Sequence, residues 1–125
     1  MMQNQLTAKR PVAAVGEEID HMLGAKFISD YQKLYPNETA GYLIGKEIIE
    51  KILAQPGCVG IRFYSALNEM GEKTLVYVGV GENREDIVEY TVISSEGNIT
   101  SQKAIVADRT ERDSPEPWWK IFKFW

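Results

Sequence analysis

The residue types that could do chemistry in this chain are few, and the first pair to consider is a thiol and an imidazole. The sequence contains one cysteine, Cys58, and one histidine, His21. A nucleophilic thiol needs an adjacent base, and His21 is the only imidazole that could serve. On a helical wheel, however, His21 lies roughly opposite Leu23 and Leu34, on the solvent side. The sequence therefore favours Cys58 as a small buried hydrophobe at the start of a strand.

A second polar pair, Arg62 and Tyr64, lies on one face of a predicted strand. Alternation along that strand puts both side chains on the face opposite Ile61 and Phe63. If the polar face is concave, the Arg62 guanidinium could bind an anionic ligand with the Tyr64 phenol beside it. The alternative is a cross-strand ion pair or a stacked guanidinium on a solvated surface, and the sequence favours this alternative.

Metal and phosphate sites find little support in the spacing of the residues. A structural zinc site needs several Cys or His ligands, and the chain has one of each. The acidic turn GENRED lacks the spacing of a calcium-binding loop, and VGVGENRED leads into a strand rather than a phosphate-binding helix. We therefore expect no metal, no cofactor and no catalytic residue, and the sequence leans towards a protein that is not an enzyme.

Length and charge place the chain among small globular proteins. Its 125 residues suit one domain, and its net charge of −4 is concentrated in residues 69–116, with eleven acids and five bases. Such an acidic half argues against nucleic acid as a partner, because phosphate binding depends on Lys and Arg. The sequence has neither a bilayer-spanning apolar run nor a signal segment, and the single cysteine gives no sign of an oxidising compartment. We therefore expect a cytoplasmic protein.

Two helices are predicted to follow a loose N-terminal arm, residues 1–15. Residues 16–35 place five large side chains on one side of a helix that ends before a proline: Ile19, Leu23, Phe27, Tyr31 and Leu34. Residues 37–57 restart the helical period, with an apolar stripe that includes Ile48 and Ile52. Both stripes are expected to face a sheet.

The pattern changes to period two after Gly57 and predicts two β-hairpins. The first joins CVGIRFYSAL to KTLVYVGV through NEMGE, where Gly71 can take a positive φ. The second joins IVEYTVIS to ITSQKAIVA through SEGN, with Gly97 at the tight position. The predicted fold is α+β, a single domain over residues 16–107 with two N-terminal helices packed on a four-stranded antiparallel meander sheet.

The segment GCVGIRFYSALNEMGEKTLVYVGVGENREDI resembles a family of short, uncharacterised bacterial proteins to which no activity is assigned. In that family a GCxGIRxY strand is followed by a glycine turn and an LVxVGV strand. The likeness covers about a quarter of the chain. It implies a β-hairpin here, and it implies no catalytic residue.

The C-terminal segment, residues 118–125, reads WWKIFKFW and holds all three tryptophans of the chain. Residues 108–125 are predicted to be a polar linker followed by this aromatic tail. Its five aromatic side chains could present about 1,000 Å² of surface, more than the ~300 to 600 Å² apolar patch of a typical monomer. The candidate docking residues are Trp118, Trp119, Ile121, Phe122, Phe124 and Trp125. We expect the tail, as a helical turn or a strand, to dock on a protein surface in cis or in trans.

A membrane is the less favoured target for this tail. The aromatic and lysine residues suit an interfacial anchor, but the acidic segment before them would be repelled by anionic lipid.

Together these features predict a small cytoplasmic protein-interaction or assembly module that forms a homo-oligomer or binds another protein. The alternative is a small enzyme or anionic-ligand-binding protein with a pocket between helices and sheet, using Arg62, Tyr64 and Cys58. A deep pocket with convergent polar groups would favour that alternative.

Overall fold

A computed structural model describes residues 10–93, 95–108 and 111–113 of the chain. Among these residues there are two α-helices, α1 (His21–Leu34) and α2 (Lys46–Leu53), and a short 3₁₀ turn at Val12–Ala14. The strands are β1 (Gly41–Leu43), β2 (Gly60–Leu67), β3 (Lys73–Val80), β4 (Asp86–Ile87), β5 (Glu89–Ile93), β6 (Ile99–Lys103), β7 (Val106–Ala107) and β8 (Glu111–Asp113). The predicted α+β class with an antiparallel sheet is confirmed.

The β2–β3 hairpin is the longest pairing in the described structure. It runs in register from Gly60 opposite Val80 to Leu67 opposite Lys73. Its connection is closed by Asn68, whose side-chain oxygen accepts hydrogen bonds from the backbone N–H groups of residues 70 and 72, each at 2.9 Å. Gly71 adopts φ +75°, as the sequence predicts, because a side chain would strain that conformation.

The other edge of β3 is paired by two short strands that follow one another along it. In β4, Ile87 lies opposite Gly79, and in β7, Val106 lies opposite the next residue, Val78. The chain between them leaves the sheet and forms β5 and β6, which pair as a separate two-stranded sheet. The second predicted hairpin therefore exists, with Gly97 at φ +83°. A four-stranded antiparallel sheet is also present, but its strands are β2, β3, β4 and β7, so the predicted meander, in which the second hairpin completes the sheet, is wrong.

The predicted second helix is shorter than its sequence pattern indicates. Residues 41–43 form β1, which pairs with β8 so that Gly41 lies opposite Asp113. Helix α2 then begins after Gly45. Pairing with a strand distant in sequence has overridden the local helical period in residues 37–45.

Helix α1 begins at His21 rather than near Gly16, because Asp20 caps it. The Asp20 carboxylate accepts hydrogen bonds from the backbone N–H groups of Met22 and Leu23, at 2.9 and 3.4 Å. Such a cap satisfies donors that have no partner inside the first helical turn.

The two helices contact the protein in different ways. In α1 the buried residues are the small Ala25 and Ser29, so the prediction that α1 packs on the sheet through Leu23 and Phe27 is wrong. In α2 the buried residue is Ile52, from the predicted stripe. The buried apolar core comprises Ala25, Ile52, Tyr77, Val78, Val80 and Ile87.

Candidate functional site

The predicted pair Arg62 and Tyr64 meets a third residue, Asp86, on the sheet face that Val78 and Val80 share. The Arg62 guanidinium donates to one carboxylate oxygen of Asp86, and the Tyr64 hydroxyl donates to the other. The Arg62 and Asp86 side chains are 36% and 26% exposed, so the cluster is partly shielded from water. Strand β2 thus supplies two side chains and β4 supplies the carboxylate that joins them.

The turn before β4 adds a backbone acceptor to this cluster. Arg84 adopts φ +69°, a left-handed conformation that is uncommon outside glycine. Its carbonyl oxygen lies 3.3 Å from both terminal nitrogens of Arg62. Its own guanidinium donates to the Arg10 carbonyl oxygen at 2.7 Å. Residue 84 therefore connects the N-terminal arm to the cluster.

The three side chains shift one another's pKa values in a consistent way. Hydrogen bonding from Tyr64 and then from Arg62 holds the pKa of Asp86 below its ordinary value. The bond to Asp86 raises the pKa of Tyr64 and is the largest cause of the raised pKa of Arg62. Each shift favours a carboxylate, a guanidinium and a neutral phenol, the forms that satisfy both hydrogen bonds to Asp86.

This arrangement matches the cross-strand ion pair that the sequence favoured. The positive charge of Arg62 is already balanced by Asp86, and its donors are directed at two acceptors of the same chain. Ligand binding by Arg62 and Tyr64 stays a prediction. Asp86 was missed from the sequence because its partners lie more than twenty positions away, and its only local signal is an acid at the entry to a strand.

Cys58 and His21 occupy separate environments. The Cys58 thiol is half-buried and donates to the Gly60 carbonyl oxygen at 3.2 Å, two residues along the chain. His21 is exposed at the first position of α1. The described contacts do not bring the two side chains together, so they do not support activation of the Cys58 thiol by His21.

One cleft, about 670 Å³, lies between α1, the segment before β1 and the far end of the β2–β3 hairpin. Its apolar and aromatic walls come from Tyr31, Tyr42, Leu67 and Leu75. Its two charged residues, Glu38 and Lys73, form an ion pair with each other. The second cleft, about 590 Å³, lies beside the 3₁₀ turn and includes Arg62 and Arg84 in its lining.

Large apolar side chains are exposed along one side of α1 and at Ile19, just before the helix begins. The five side chains of the predicted stripe are between 41% and 74% exposed: Ile19, Leu23, Phe27, Tyr31 and Leu34. The neighbouring Met22 and Tyr35 are 53% and 51% exposed. We call the five-residue set the α1 stripe. It offers exposed apolar side chains rather than a group of reactive ones.

The candidate docking residues of the tail, Trp118, Trp119, Ile121, Phe122, Phe124 and Trp125, lie outside the described residues. Within the described part, no group of three or more His, Cys, Asp or Glu side chains could hold a metal ion. Likewise, neither described helix has the length and apolar character needed to cross a membrane.

Comparison of the chain with protein-family models, with curated proteins and with solved structures finds no match in any of the three. The hairpin that the family resemblance implied is formed by β2 and β3, and membership of that family stays a prediction.

Proposed function

We propose that this protein is a cytoplasmic assembly module whose copies associate through the α1 stripe. The observation that supports the proposal is the exposure of that stripe, with Phe27 57% and Leu34 74% accessible. Large apolar side chains aligned on one side of a helix normally face a partner surface. In α1 the chain contacts its own fold through the opposite, small side chains Ala25 and Ser29. The bulky side is largely exposed among the described residues, which makes it available to a second molecule.

The local chemistry of α1 also suits a stable interface helix. Asp20 caps its N-terminus, and a Lys26–Asp30 ion pair, 2.7 Å from Nζ to Oδ2, supports its exposed surface. A helix that is ordered before association loses less entropy when it binds. The stripe can therefore contribute hydrophobic contact without first having to fold.

The aromatic tail is the second part of the proposed interface. It carries five aromatic side chains and one isoleucine in eight residues. Interfaces are enriched in tryptophan and tyrosine, which supply large contact areas at a low entropic cost. We propose that this segment docks on a protein surface of the assembly.

A pocket that binds an anionic ligand has less support. The Arg62 charge is balanced by Asp86, and the two charged residues of the larger cleft are paired with each other. A ligand would have to displace these internal partners.

The proposal is tested by Phe27→Glu, which places a charge in the middle of the α1 stripe. Static light scattering of the native chain should give a mass that is a multiple of the 14.2 kDa monomer, and Phe27→Glu should reduce it to the monomer. Ile99→Glu is the matched control, because Ile99 is equally apolar, 73% exposed and on the separate β5–β6 hairpin. If the native chain is monomeric, or if both variants associate as the native chain does, the proposal is wrong.

A further inference from the structure

From the position where the described chain ends, we infer that the α1 stripe is covered by residues 118–125 of a second copy, in a reciprocal exchange of C-terminal segments. This inference rests on the proposed function and names the occupant of its interface.

The C-terminal segment leaves the fold close to the end of α1. Strand β8 ends at Asp113, which lies opposite Gly41 in β1. Gly41 follows the last residue of α1, Leu34, after a short connection. The next residue of β1, Tyr42, lines the same cleft as Tyr31 of the α1 stripe. The segment therefore starts beside one end of the surface that it has to reach.

The length of the remaining chain is sufficient. The 12 residues after Asp113 could span at most about 40 Å when extended. Helix α1 has 14 residues and is about 21 Å long. A segment that starts near one end of an α1 stripe can therefore lie along all of it, in the same molecule or in an adjacent one.

The two surfaces are complementary in chemistry. A helical turn over residues 118–125 would gather Trp118, Ile121, Phe122 and Trp125 on one side, with the two lysines opposite. Residues 17–35 contain four acids and two bases, so the region around α1 is negative where the tail is positive. Contact between apolar faces in regions of opposite net charge suits a protein interface.

The spacer favours exchange between copies. Residues 114–117 read Ser-Pro-Glu-Pro, and each proline restricts both itself and the residue before it to extended conformations. Four residues in such extended conformations would span about 12 Å, and their sequence predicts a stiff spacer before the aromatic residues. Short, stiff connections of this kind promote swapping, because the segment cannot easily fold back on its own chain.

The area available suits a stable dimer. Two exchanged tails could bury roughly 900 to 1,500 Å² of aromatic surface, because three aromatic side chains of each tail share the docking side, at about 150 to 250 Å² each. Stable interfaces bury about 1,200 to 2,000 Å² in total. The exchange therefore accounts for the exposed stripe and for the aromatic tail in one symmetric contact.

A cysteine cross-link between two differently marked chains tests the exchange. In a Cys58→Ser background, one chain carries Phe27→Cys and the other carries Phe122→Cys, and the two are mixed under mild oxidation. A disulfide between them can only form in trans. We expect the mixed heterodimer to form at least about tenfold faster than with Ile99→Cys in place of Phe27→Cys, because docking raises the local concentration of the two thiols.

Each outcome decides the matter. A disulfide that forms only inside a doubly substituted monomer shows docking in cis and overturns the exchange. The chain could also be a dimer by light scattering and form no disulfide between Phe27→Cys and Phe122→Cys, or form disulfides between two Phe27→Cys chains. Either result overturns the exchange but is compatible with the proposed function. A monomer under all conditions overturns both.

Discussion

Helices α1 and α2 both carry an apolar stripe, yet a large apolar side chain of each stripe has a different environment. Ile52 of α2 is completely buried, whereas Phe27 of α1 is 57% exposed. Both stripes are visible in the sequence. The contrast shows that helical spacing identifies the apolar side of a helix. Whether that side packs against the same chain depends on the rest of the fold.

The burial of α2 has a specific cause in the sheet. Gly79 of β3 lacks a side chain where Ile52, Gln55 and Cys58 approach, and a Cβ there would lie 2.8 Å from the Cys58 sulfur. The Gln55 amide completes the contact, because it donates to the Ile52 carbonyl at 3.1 Å and accepts from the Ile105 N–H at 2.8 Å. Gly79 thus allows helix α2 and the residues after it to pack closely on β3, and the hydrogen bonds of the buried Gln55 amide stabilise this contact.

The largest expected effect separates the two helices directly. Ile52→Ala should reduce the free energy of unfolding by about 2 to 5 kcal/mol, because it leaves a cavity in the core. Phe27→Ala should change the free energy of unfolding of the monomer by less than about 0.5 kcal/mol, because the side chain already contacts water. Urea titration of both variants, at a concentration where the chain is monomeric, measures the difference.

Equal losses of unfolding free energy for Ile52→Ala and Phe27→Ala would contradict this difference between the helices, since α1 would then be packed within its own chain. Repeating the titration at high protein concentration tests the role of α1 in association. If association uses the α1 stripe, the Phe27→Ala loss should grow with concentration, whereas the Ile52→Ala loss should not.

A smaller effect is expected on the strand side of the α2 contact. Gly79→Ala should cost about 1 to 3 kcal/mol, because the new methyl group overpacks against Cys58 and Gln55. The double variant with Cys58→Ala should recover part of this loss, since the sulfur is the nearest atom. Thermal denaturation of the single and double variants gives the coupling free energy between positions 79 and 58. Strictly additive losses would mean that Cys58 does not approach β3 so closely.

The smallest effect concerns the opposite face of the sheet, where stability should depend on pH through Asp86. Its folded pKa is lowered by Tyr64 and Arg62, so its contribution is present above the ordinary aspartate pKa and is lost as the pH falls through the lowered value. The melting temperature should therefore fall with acidification. Asp86→Asn should flatten this part of the profile, whereas Glu82→Gln, at an exposed carboxyl of the preceding turn, should leave it unchanged.

At alkaline pH the sign is reversed for Tyr64. Its folded pKa is raised by Asp86, so its contribution is present below the ordinary tyrosine pKa and is lost as the pH rises through the raised value. The pKa of the buried Tyr77 is raised by desolvation, so Tyr77 should add to the loss of stability at alkaline pH. That part of the loss should remain in the Tyr64→Phe variant.

On the acid side, the melting temperature of Asp86→Asn should depend less on pH than that of the native chain. If the two profiles are the same, the cluster does not stabilise the fold.

Local patterns predicted the elements of this fold better than their assembly. Period-two alternation and a turn glycine located the β2–β3 hairpin and Gly71, and helical spacing located α1 and α2. These signals depend on neighbours in sequence, so a single chain carries them.

The features that the sequence did not reveal depend on partners far along the chain. Residues 41–43 become a strand because residues 111–113 pair with them, and Asp86 becomes part of the polar cluster through β2. The exposed α1 stripe was misassigned to the sheet because periodicity identifies a side of a helix and does not identify what faces it.

The two short strands beside β3 have a consequence for how the chain could be edited. Along β3, residues 80, 79, 78 and 77 face residues 86, 87, 106 and 107 in turn, so β4 and β7 form one edge strand that is interrupted by residues 88–105. Residues 88–105, which interrupt the strand, leave it and rejoin it at adjacent positions, and the Ala104 N–H donates to the Val88 carbonyl at 2.9 Å. Shortening the chain between Val88 and Ala104 would leave the direction of the strand unchanged and reduce the entropy cost of closing that loop. It would also keep Ile105, whose N–H binds the buried Gln55 amide. The β5–β6 hairpin is therefore a place where another peptide could be grafted.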